Sequence, residues 1–219
     1  MSAVASKRKV LIDIVSDTVW PWCFVGKRRL EDAIETAKTK MPNLEFDIRW
    51  RPFQLDSTTP EGKGVNKIEA YNMKFGEQRV NAMIPRMVET GKKHGINFSY
   101  GGFIGNTMDS HRLIYQAREE GGSELQDKVV ESLFKAYFEE EKSLGEAEVL
   151  IECGTRAGID ARKIVNDKHL YRQETINEIQ MYSRGCRGVP MFIIDEKFAL
   201  SGAQDAETLL EVFDEVTSS

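Results

Sequence analysis

Long apolar runs are absent from this 219-residue sequence. The first apolar stretch, Val10 to Val15, is interrupted by Asp13 and falls far short of a membrane span or a signal-peptide core. No membrane partner is expected. The polar, basic opening from Met1 to Lys9 reads as the start of a cytoplasmic protein, with Ser2, Ser6, Lys7 and Arg8 only faintly like a transit peptide. Cysteine is scarce: Cys23, Cys153 and Cys186 are odd in number and widely spaced. That spacing excludes a secreted disulfide framework and a zinc cluster, so no metal is expected. A basic surplus is lacking too. With 30 Lys and Arg against 35 Asp and Glu the net charge is −5, which leaves no electrostatic footprint for a phosphate backbone, and nucleic acid is not an expected partner.

What is present is an ordinary globular composition, 41% hydrophobic and 30% charged, in a length that suits one domain carrying a large insertion. Val10 to Val15 is β-branched and almost wholly apolar, as a strand covered on both faces should be. Pro21 then opens a helix with Val25, Leu30, Ala33, Ile34 and Ala37 on one face, proline being well placed where a helical N–H has no partner. Phe46 to Arg51 alternates like a half-buried strand and is stopped by Pro52.

The next hundred or so residues have helical periodicity. Asn66 and Glu69 form a capping pair ahead of an apolar stripe (Ile68, Tyr71, Phe75, Met83, Ile84, Met87) with breaks or kinks expected at Gly76 and Pro85. After a glycine-punctuated loop, Asp109 or Ser110 is expected to cap a helix carrying Leu113, Ile114 and Ala117. A second helix carries Val129 to Tyr137, and a third, with Val149, Leu150 and Cys153, ends at Gly158. A polar helix near Leu170 to Arg184 follows. The chain returns to strands at Pro190 to Ile194 and Lys197 to Leu200, joined as a hairpin by Asp195-Glu196, and closes with a helix burying Leu209, Leu210, Phe213 and Val216.

Trp20-Pro21-Trp22-Cys23 is the most informative stretch. A cysteine in a first helical turn sits where unpaired N–H groups and the helix dipole favour its thiolate, while burial opposes this. The segment from Ser16 to Lys27 resembles the active site of the FrnE-like branch of the DsbA family, in which cysteine stands at the position of Trp20. Gly105 to Leu113 resembles that family's first insert-helix motif, Gly188-Val189-Pro190 its cis-proline loop, and Ser201-Gly202-Ala203-Gln204 the start of its last helix.

The resemblance spans nearly the whole chain. It implies an α/β thioredoxin-like fold with a large all-helical insertion: a thioredoxin-like domain from residues 1–55 and 186–219, helix 169–185 packed on it, and an insertion at 56–168. It also implies a site in which Trp20, Pro21, Trp22, Asn106, Val189, Pro190, Ser201, Gln204 and Asp205 bind substrate. Cys23 and His111 are the catalytic candidates there. Val189 would offer its backbone to an extended substrate or to glutathione, and Ser201, Gln204 and Asp205 would hold charged ends of glutathione.

Each residue has a plainer reading. Cys23 is equally well an inherited, half-buried thiol, and Trp20 a packing side chain, although an aromatic in an exposed turn suits the wall of a flat apolar substrate's site. Cys153 reads as core, and Cys186 as a thiol that pairs with Cys23 only if their Cα atoms come within about 7 Å. His111 reads as a structural side chain under the insert, with Asp109 able to orient it only through a sharp backbone turn. His94 and His169 read as exposed helix-end residues. Ser201, Gln204 and Asp205 are individually read as helix-capping groups.

Because an indole is neither nucleophile nor acid, ordinary dithiol exchange lacks an agent. Three functions follow. The first is glutathione-linked chemistry on a small organic molecule, as in the related hydroxychromene-carboxylate isomerases and kappa-class glutathione transferases. The second is an oxidoreductase acting on a thiol through Cys23 alone. The third is a non-catalytic ligand-binding or chaperone-like module. A homodimer formed through the insert fits all three.

Overall fold

The computed structural model describes residues 7–218. Residues 1–6, on which most of the leader reading rests, and Ser219 lie outside the described residues. Strand β1 (Arg8–Ser16) lies at the centre of a four-stranded sheet of order β2-β1-β5-β6. Its neighbours are β2 (Leu44–Pro52), which is parallel to it, and β5 (Met191–Ile194), which is antiparallel and pairs in turn with β6 (Phe198–Ser201). Ile14 stands opposite Trp50 on one side and Phe192 on the other. The central place explains the composition of β1: Ile12, Ile14 and Val15 are fully buried. Pro52 closes β2, an edge strand, where a missing N–H costs least.

The hairpin turn at Asp195 and Glu196 has positive φ at both residues (48° and 59°), the backbone a two-residue β-turn requires. Asp195 is further held because its carboxylate accepts the Leu11 N–H at 2.8 Å.

Helix α1 (Pro21–Lys40) runs directly from β1 with Pro21 in its first turn, and packs on α8 (Ala206–Ser218). Between β2 and β5 come a two-residue strand β3 (Val65–Asn66), α2 (Lys67–Phe75), α3 (Glu77–Lys93), β4 (Phe103–Ile104), α4 (Met108–Phe138), α5 (Ala147–Ala157), α6 (Arg162–Asn166) and α7 (Arg172–Ser183). Aromatic side chains join the helical part to α1: the Phe24 ring lies 5.0 Å from that of Phe134 and 5.9 Å from that of Phe138. The architecture is the expected α/β thioredoxin-like fold with a helical insertion.

Several local expectations need correction. Thr107 and not Asp109 or Ser110 precedes α4, and the first N–H of the helix, on Met108, is taken by the Asn106 side chain at 3.0 Å. The two helices expected on either side of residue 120 form one element, bent where Gly121 and Gly122 leave helical geometry. Gly76 does separate α2 from α3, but α3 runs on through Pro85. Leu210 is half-buried, because the buried face of α8 passes through Leu209, Phe213 and Val216. The short elements β3, β4 and α6 carry too few residues for periodicity to show them.

Candidate functional site

The end of β1 and the start of α1 form the floor of the site. The chain leaves β1 at Ser16, and Trp20 takes the helix N-cap position with extended backbone and no side-chain cap. Pro21, buried, supplies no N–H, and the Cys23 N–H folds back onto the Trp20 carbonyl at 2.9 Å. This turn seats the Cys23 thiol inside the fold, fully buried, in hydrogen-bond contact with the Ser16 side chain and the Asp17 backbone. Burial outweighs those bonds and pushes the thiol up to about 12, so the competition between helix terminus and desolvation is won by desolvation. Trp22, the neighbour of Cys23, is 36% exposed. Trp20 is half-buried.

The Val189-Pro190 bond is cis, and its loop lies against α1: a Cβ on Gly26 would stand 3.1 Å from Pro190 Cγ. Val189 is buried. Cys186, half-buried in the same loop, donates its thiol hydrogen to the Gly188 carbonyl and is free, as are Cys23 and Cys153. Cys153 is core, as expected.

Several other candidates prove to be engaged in holding the backbone. Asp205 caps α8 by accepting the Thr208 N–H at 2.9 Å, which keeps its carboxyl below the usual range, and Gln204 donates to the Ser201 carbonyl. Asn106 donates to the carbonyls of Ser57 and Thr59 and accepts from Met108 N and Gln54 Nε2, which uses its whole amide. His111, 2% exposed, donates Nε2–H to the Phe53 carbonyl at 2.9 Å. The carboxylate beside His111 is Asp17, 3.4 Å from Nε2. Asp109 pairs instead with Arg112 and Lys168. His94 is half-buried, contrary to expectation, and accepts a hydrogen bond from Arg29; His169 is exposed.

Next to Trp20 opens a cavity of about 520 Å³ between the β1–α1 loop and the helical insertion. That size is within the range of small-molecule sites. Trp20, Val19, Leu55, Phe75 and Ile104 supply apolar wall, and Asp17, Thr107, Tyr71 and Tyr137 the polar part. The sequence reading missed these polar residues. Asp17 stands inside the quoted motif, so its position carried a signal. Tyr71 and Tyr137 sit on apolar helical stripes, where a cavity-lining tyrosine and a core tyrosine look alike.

The Bacillus subtilis protein YwbO is 26% identical over 197 residues, covering 85% of this chain and 88% of its own length. A probable DsbA oxidoreductase from Streptomyces coelicolor has the same fold with a TM-score of 0.86, at 26% identity over 96% of this chain and 91% of that one. The cytosolic disulfide reductase DsbM from Pseudomonas aeruginosa, solved with GSH, matches with a TM-score of 0.62 at 14% identity, over 95% of this chain and 100% of its own. Residues 11–214 match the model of the DSBA-like thioredoxin domain, and with the strand order, the α1 site and the opposed Pro190 loop in place, the chain belongs to that family.

Proposed function

We propose that this chain is a FrnE-like member of the family in which Trp20 replaces the nucleophilic cysteine. It acts on a small, largely apolar molecule held in the cavity beside Trp20, with a thiol co-substrate such as glutathione supplying the sulfur chemistry. The observation that carries this reading is the contrast between two neighbours in the first turn. Cys23 is fully buried with its thiol pushed up to about 12, whereas Trp20 walls an open cavity of about 520 Å³.

With such a thiol, about one molecule in a hundred thousand is ionised at pH 7, so neither residue can begin disulfide exchange. A co-substrate thiolate at the mouth of α1 would meet the Trp22 N–H. That donor has no hydrogen-bond partner among the described residues and lies at the positive end of the helix. DsbM, solved with GSH on the same fold, supports a thiol of this kind, and a cytoplasmic setting agrees with three free cysteines. The second reading, a ligand carrier without catalysis, is favoured by the lack of any ionisable group on Trp20.

Calorimetry with glutathione and a disulfide-reduction assay test the proposal. Saturable binding of glutathione is expected, with no reductase activity in the parent and its appearance in Trp20→Cys. No heat at millimolar glutathione rejects the co-substrate, and dithiol-dependent reduction by the parent rejects the role given to Trp20.

A further inference from the structure

We infer that the cavity beside Trp20 selects an apolar amine, a ligand whose protonated nitrogen pairs with Asp17 while its carbon frame lies among aromatic rings. The inference rests on the cavity reading above and is independent of glutathione.

Asp17 lines the cavity and is 1% exposed. Its Oδ2 accepts the Leu55 N–H at 2.7 Å, but its Oδ1 has no hydrogen-bond partner among the described residues. His111 Nε2 is 3.4 Å from Oδ1, yet its hydrogen goes to the Phe53 carbonyl at 2.9 Å. The buried ammonium of Lys67 is engaged elsewhere, 3.1 Å from the Tyr137 carbonyl and 3.9 Å from the centre of the Tyr137 ring. A carboxylate oxygen left without a partner inside a fold is costly, and at 1% exposure bulk water offers little relief. Because Asp17 forms part of the cavity wall, a cation seated there brings the opposite charge to it.

The rest of the lining suits such a ligand. Trp20, Tyr71, Phe75 and Tyr137 contribute ring faces or edges, and ring faces attract cations. The Tyr137 hydroxyl, buried beside that of Tyr71, adds a second acceptor. Among the charged lining residues Asp17, Asp56 and Glu69 outnumber Lys74, so an anionic ligand meets charge mostly of its own sign. Leu55, Val65 and Met73, which are 36%, 40% and 89% exposed, extend the apolar lining to the surface.

The test titrates the full chain, by calorimetry, with three probes on one frame: naphthylmethylamine, naphthalenemethanol and naphthoic acid. The amine is expected to bind at least about tenfold more tightly than the alcohol, with the acid weakest. Asp17→Asn, which keeps an acceptor for the Leu55 N–H, should remove the amine's advantage and leave the alcohol's affinity in place. Glu211→Gln, at an exposed position of α8 outside the cavity lining, should preserve the ranking. Equal binding of amine and alcohol by the parent overturns the inference, as does an amine preference that survives Asp17→Asn or is lost in Glu211→Gln. Should Asp17→Asn not fold, the parent's ranking together with Glu211→Gln decides. Failure to bind glutathione leaves this ranking untouched, whereas failure to bind any of the three probes overturns the cavity reading itself.

Discussion

Pro190 lies against Gly26 so closely that a Cβ on the glycine would stand 3.1 Å from Pro190 Cγ and 3.1 Å from Phe192 Cζ. The loop before β5 is thereby seated one helical turn beyond Cys23, which is how two segments more than 160 residues apart come to share one site.

Substitution at Gly26 sets helix propensity against this contact. Alanine gains about 1 kcal/mol as a helix former, but its methyl overpacks two ring systems at once, at a cost of about 1–3 kcal/mol. Gly26→Ala is expected to be destabilised by about 1 kcal/mol net and Gly26→Val by more, read as a loss in urea-unfolding free energy. A stabilised Gly26→Val would contradict the packing.

The three thiols should separate cleanly. Cys23 is pushed up to about 12 and Cys153 to about 11, in both cases chiefly by burial, while Cys186 is half-buried. Alkylation at pH 8 followed by mass spectrometry should label Cys186 in the folded protein and reach Cys23 and Cys153 only in denaturant. Rapid labelling of native Cys23 would restore the single-thiol oxidoreductase as the better reading.

Asn106 is expected to act as a bracket. Asn106→Ala removes its bonds to Ser57, Thr59, Met108 and Gln54 and should cost about 2 kcal/mol in unfolding free energy. Because the held loop carries Leu55, Asp56 and Thr59 of the cavity wall, ligands should weaken alike, with no change in their order of affinity. A change of selectivity would place Asn106 in contact with ligand instead.

Lys67 gives a pH signature of defined sign. Burial lowers it from 10.5 to about 8, so between those values the unfolded chain holds more protons than the folded one. Stability contributed at this residue therefore rises as pH climbs from about 8 to about 10.5, and below 8 the penalty is constant. Lys67→Met should abolish the rise, worth about 3 kcal/mol at most. Cys23 acts in the opposite direction as pH passes 9, since the folded thiol keeps its proton longer, and comparing parent with variant cancels that contribution. Identical pH profiles for the two proteins would show that Lys67 is not desolvated.

Much of the fold was legible because local rules and global structure agree. β1 reads as a central strand from its almost wholly apolar, β-branched character, Pro21 marks the first turn of α1, and Asp195-Glu196 marks the hairpin. Asn66 caps α2 by accepting the Glu69 N–H. The misreadings arose where tertiary pairing decides. Val65-Asn66 and Phe103-Ile104 are strands only because they face each other, and Asn106 rather than Asp109 or Ser110 serves the start of α4 because a distant loop fixes its amide.

The residues at positions 20 to 23, their place at a helix entrance and the absence of a second nearby cysteine were set by the sequence alone, since they depend on chemical identity and short-range order. Which group faces outward was decided by the tertiary structure. Burying Cys23 beneath the first turn, leaving the Asp17 carboxylate oxygen without a partner and opening a cavity against Trp20 all depend on segments far apart in the chain. Desolvation, which governs both the thiol and the carboxylate, exists only once those segments have closed around them.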